Sequence, residues 1–96
     1  MQMVKFSKKL QVNVYVKSFS KEGAEEVGVN KISDILLNHG IKSYVYLDTA
    51  SLKVERDYDP DGEPNLEFDC YFTVEVEDAK GYTKNDIQSL IETNFE

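Results

Sequence analysis

The sequence has no tryptophan, one cysteine, one histidine and only two prolines in 96 residues, and each scarcity removes a class of chemistry. Cys70 alone cannot close an internal disulfide, so nothing argues for secretion. No cysteine–histidine spacing of the zinc-binding kind exists, and neither a metal nor a cofactor is expected. His39 lacks a serine motif to serve, and no glycine-rich phosphate loop is present. No apolar run approaches the ~18 residues that a membrane-spanning helix needs. The stretch Met1-Gln2-Met3-Val4-Lys5 has no apolar core of a secretory leader. The expectation is a non-enzymatic protein of the reducing cytoplasm, without a membrane partner.

What is present suits one packed core. A hydrophobic share of 41% with five phenylalanines and six tyrosines supports a single domain over residues 1–96. The net charge of −7 is unevenly placed. Residues 1–21 hold five lysines (Lys5, Lys8, Lys9, Lys17, Lys21) and no acid, whereas residues 48–78 hold eleven acids against Lys53 and Arg56. Such asymmetry makes a strong local field. It disfavours direct binding of DNA or RNA, because clustered carboxylates repel phosphates. The plain alternative is that the charge only keeps a small domain soluble.

Periodicity places the elements. Leu10, Val12, Val14 and Val16 alternate with polar residues over 9–17, the pattern of a half-buried strand. Ser20 can cap a helix starting near Lys21. Gly23 and Gly28 weaken its first part, so the firm segment is 30–39, with Asn30 as a candidate cap and Asn38-His39-Gly40 as a left-handed stop. A second strand is expected over 43–58, bulged or broken near Asp48-Thr49-Ala50-Ser51. A third over 66–77 sets Leu66, Phe68, Cys70, Phe72, Val74 and Val76 on one face, with Glu67, Asp69, Tyr71, Thr73, Glu75 and Glu77 on the other. Residues 59–65, Asp-Pro-Asp-Gly-Glu-Pro-Asn, form the turn-rich connector. Thr83 and Asp86 read as a capping box for a last helix carrying Ile87, Leu90 and Ile91. The expected class is α+β, in the order β-α-β-β-α: a three-stranded antiparallel sheet with two helices on one face. This resembles a ferredoxin-like sandwich lacking its last strand. Its two open edges must be blunted or paired, for which a homodimer is one solution.

Asp57-Tyr58-Asp59-Pro60-Asp61-Gly62 reproduces the opening D-x-D-x-D-G of a calcium loop. The twelfth position is Phe68, where a bidentate glutamate is required, so an acidic hairpin turn is the preferred reading and no metal site is assigned. Cys70 falls on the apolar strand face, as a small buried hydrophobe. His39 sits at a helix end, where it meets backbone carbonyls and the helix dipole. Tyr15 and Tyr71 fall on the polar faces of their strands, a placement common at protein interfaces.

The candidate partner-binding residues are therefore Glu55, Asp57, Asp59, Asp61, Glu63, Glu67, Asp69, Tyr71, Glu75 and Glu77. Their expected partner is a basic protein surface, such as that of a nucleic-acid-processing enzyme, rather than nucleic acid itself. In size, charge and composition the chain is similar to small acidic inhibitors of phages and mobile elements, anti-restriction and anti-CRISPR proteins among them. That similarity implies a DNA mimic that presents carboxylates where a phosphate backbone would lie. The rival readings are a homo-oligomeric assembly module and a ligand-sensing regulatory domain of ferredoxin-like type.

Overall fold

The alternating run becomes β1 (Lys8–Ser18), in which every second side chain from Leu10 to Ser18 is buried. The computed structural model describes residues 8–55 and 66–95. Ser20 then caps α1 (Lys21–Leu37), its hydroxyl oxygen accepting from the Gly23 N–H at 3.0 Å. The helix starts where Ser20 places it and runs unbroken through both glycines, well before the firm segment 30–39, and Asn30 is an interior residue rather than its cap. The reason is close approach. A Cβ on Gly28 would lie 2.1 Å from Phe72 Cζ, and one on Gly23 would lie 2.4 Å from Ser18 Oγ. Each glycine costs a helix about 1 kcal/mol relative to alanine. Here that loss is offset by letting the helix settle onto the sheet.

α1 ends at Leu37 with Asn38 as its cap, two residues short of the expected His39 boundary. Gly40 adopts φ 73°, its N–H bonds Leu37 O at 2.9 Å, and the Ile41 N–H bonds Leu36 O at 2.9 Å. This is the Schellman pattern, and the buried Ile41 supplies its apolar contact.

β2 (Ser43–Glu55) and β3 (Leu66–Val76) pair antiparallel, and β1 pairs antiparallel with the other side of β3, giving the strand order β1-β3-β2. β2 carries two register breaks, one between Leu47 and Thr49, the other between Leu52 and Val54. The first follows from side-chain parity. Val45 and Leu47 face the core from odd positions and Ala50 from an even one, so one extra residue, Asp48, must be absorbed between them. The remainder of the expected second strand (56–58) and the connector lie outside the described residues.

α2 (Lys84–Asn94) starts with the capping box that the spacing predicts. Thr83 Oγ1 accepts from the Asp86 N–H at 3.1 Å, and Asp86 Oδ2 accepts from the Thr83 N–H at 2.9 Å. Both helices cover one face of the sheet, where Phe72, Ile32, Leu36, Ile41, Ile87 and Ile91 are fully buried in a single cluster. Each such side chain contributes on the order of 1.5–3 kcal/mol of burial free energy.

The two sheet edges differ. β2 is interrupted twice by bulges, a device that spoils pairing with a further strand. β1 keeps an unbroken register over eleven residues, and among the described residues no strand pairs with its outer side.

Candidate functional site

With both helices on the core face, no described element covers the opposite face of the sheet. Strand alternation fills it with three rows. β1 contributes Lys9, Gln11, Asn13, Tyr15 and Lys17, and the central strand contributes Glu67, Asp69, Tyr71, Thr73 and Glu75. β2 adds Tyr44, Tyr46, Asp48, Ser51 and Lys53. Tyr15, Tyr44 and Tyr71 are 49%, 57% and 40% exposed, while the carboxylates of β3 are half-buried between their neighbours.

Four of the sequence-derived residues, Glu67, Asp69, Tyr71 and Glu75, form one row along β3. Glu67 stands opposite Lys17 and Glu75 opposite Lys9, whose Nζ lies 3.8 Å from Glu75 Oε1. Asp69 accepts a short hydrogen bond from Asn13 Nδ2, which also donates to Cys70 O at 3.0 Å. The acidic row is thus flanked by lysines and amides rather than standing alone. Glu77 lies one residue past β3, where its N–H donates to Lys42 O at 3.1 Å, and it is exposed at the end of the sheet. Glu55 ends β2 opposite Leu66. Asp57, Asp59, Asp61 and Glu63 lie outside the described residues, as does the calcium-loop-like segment they belong to. Among the described residues no group of three His, Cys, Asp or Glu side chains could hold a metal ion.

The residues that sequence reasoning missed are the two bulge residues themselves. Asp48 accepts from Gln11 Nε2 at 3.0 Å and from Thr73 Oγ1, tying β2 and β3 to β1. The Thr73 hydroxyl, and secondarily the Gln11 amide, hold its carboxyl below the ordinary value of 3.8. Lys53 reaches across β3 as well, its Nζ 3.5 Å from the centre of the Tyr15 ring. The parity change between Leu47 and Ala50 was the available signal for Asp48. Nothing comparable marked Lys53.

The single thiol and the single imidazole belong to other parts of the molecule. Cys70 is buried in the core, and desolvation, with repulsion from Asp69 second, pushes its pKa up to about 11. His39 Nδ1 lies 3.0 Å from Ile35 O in the last turn of α1, and its ring meets Tyr82 edge-on at 6.2 Å. A groove of about 600 Å³ runs along the outer side of β1, lined by Val14, Val16, Val27, Lys31, Glu92 and Phe95 among others. Neither Cys70 nor His39 lines it.

Comparison with protein-family models, with curated proteins and with solved structures gives no match. Among the described residues no helix is long and apolar enough to cross a membrane.

Proposed function

We propose that this is a non-enzymatic binding protein that lays the uncovered face of its sheet, together with the acidic hairpin β2–β3, on a basic surface of another protein. The observation that carries this reading is the bare face itself. Among the described residues no layer covers this face, which exposes three tyrosines around a row of carboxylates. Exposed tyrosines supply contact area at low entropic cost, and the carboxylates select basic partners. In sequence, the eleven acids against two bases over residues 48–78 add to the same sign of charge.

The partner class that fits is a nucleic-acid-processing protein whose phosphate-binding surface the acids occupy, as an anti-restriction or anti-CRISPR inhibitor does. The interleaved lysines argue for a fitted protein interface and against uniform imitation of a phosphate backbone. The working location of such an inhibitor is the cytoplasm. The fold we read as a ferredoxin-like sandwich without its final strand, a reading supported by the antiparallel order β1-β3-β2 and two helices on one face.

The test is capture of bound proteins from cell extract at stepped salt, with heparin as competitor. Screened, charge-dependent binding weakens as salt rises. Reversal of Asp57, Asp59, Asp61 and Glu63 to lysine should abolish capture while leaving the folded domain intact. Capture indifferent to salt, heparin and charge reversal would remove the proposal. The assembly-module reading is favoured by a separate observation, the unbroken outer edge of β1.

A further inference from the structure

We infer that the outer edge of β1 pairs with β1 of a second copy of this chain, in antiparallel register about a two-fold axis at Val12, to give a closed dimer with one six-stranded sheet.

An edge strand leaves half of its backbone N–H and C=O groups pointing away from the sheet. β1 offers eleven residues of such edge with regular pairing on its inner side and no bulge to spoil its outer side. β2 is bulged at Asp48 and Lys53. Like edges joined antiparallel are related by a two-fold axis, so each β1 is consumed by the other. Only the bulged β2 edges then remain outermost, and growth stops at two.

The register follows from side chains. A two-fold axis at Asn13 would oppose Lys9 to the partner's Lys17, which is unfavourable for directly facing residues. Moving the axis to Val12 removes that clash. Lys9 then faces the partner's Tyr15, and Gln11 faces the partner's Asn13, both on the uncovered face. On the helix side Leu10 meets the partner's Val14, and Lys8 comes beside the partner's Val16. Lys8 shares the core-side parity of Leu10 and is half-buried. Val16 and the exposed Glu92 of α2 line the same groove, so this register brings the partner's Lys8 to the groove that carries that carboxylate. The apolar part of the groove includes Val27, which is 45% exposed in the single chain and lies against the incoming strand in the dimer.

This pairing does not depend on the proposed partner protein, and its test uses the purified chain alone. Sedimentation equilibrium at micromolar to high-micromolar concentration should give twice the 11.0 kDa chain mass. Lys8→Glu and Glu92→Lys should each weaken the dimer by about tenfold, since each breaks two symmetry-related pairs. The double variant K8E/E92K should restore it. Circular dichroism confirms that the variants fold, because both side chains lie outside the core cluster. A single-chain mass throughout the range would overturn the inference. So would a dimer insensitive to both substitutions, which would place the contact elsewhere.

Discussion

The two faces of β3 do different work with the same backbone. On one, Phe68, Cys70, Phe72, Val74 and Val76 are buried against the helices and admit no added atom at Gly28. On the other, Glu67, Asp69, Tyr71, Thr73 and Glu75 stand between the side chains of β1 and β2, and no described helix covers them. The first face holds the fold together by packing, which is intolerant of volume change. The second is held by hydrogen bonds and ring contacts that reach over β3 from Asp48 and Lys53, and most of its side chains can change without disturbing the core. Stability should therefore track the first face and recognition the second.

The largest test of that contrast is Phe72→Ala, which should cost about 3–5 kcal/mol in denaturant unfolding, as expected for a fully buried ring. Gly28→Ala comes next, at about 1–3 kcal/mol, because overpacking against the Phe72 ring outweighs the gain in helix propensity. In a Phe72→Leu background the same glycine change should cost measurably less, and an equal cost would show that the ring is not the obstacle.

On the uncovered face, Asp48→Ala should cost about 1 kcal/mol, since it strips the buried Thr73 hydroxyl of its partner. It should also flatten the acid limb of a melting-temperature profile. The carboxyls of Asp48, Asp78 and Asp86 are all held below 3.8, through hydrogen bonds from the Thr73 hydroxyl, the Lys80 N–H and the Thr83 N–H respectively. A carboxyl depressed on folding stabilises above its unfolded value, and that stability is lost as pH falls through the folded one. The melting temperature should hold above about pH 4 and decline below it, less steeply in the variant.

Tyr71→Ala should be smallest in stability, within about 0.5 kcal/mol, while lowering partner capture. Cys70 probes the other side of the same strand. With its thiol pKa raised to about 11, it should resist alkylation at pH 8 until the chain is unfolded. Its contribution to stability is present below the ordinary value of 9.0 and lost as pH rises from there towards 11.

Much of the fold was legible in the sequence because local and long-range signals agreed. The alternation in β1 and β3, the Thr83–Asp86 box and the Gly40 stop all appear where the pattern puts them. Gly23 and Gly28 were misleading because propensity scores a helix alone, whereas their use is to meet Ser18 and Phe72 across the core. The candidate site was legible as a row on β3. It was not legible as a surface: parity marks a bulge near Asp48, but the reach of Asp48 and Lys53 across β3 depends on side-chain geometry that spacing along the chain does not encode. Alternation alone groups Glu77 with that row, yet it falls beyond the end of the strand.

The most direct measurement compares capture by the wild type with capture by an Asp69→Asn/Tyr71→Ala/Glu75→Gln variant, each at matched concentration and with its melting curve recorded. The proposed division of labour predicts that the variant stays folded with a loss of at most about 1 kcal/mol and no longer retains the heparin-competed partner. Undiminished capture by the folded variant would contradict it.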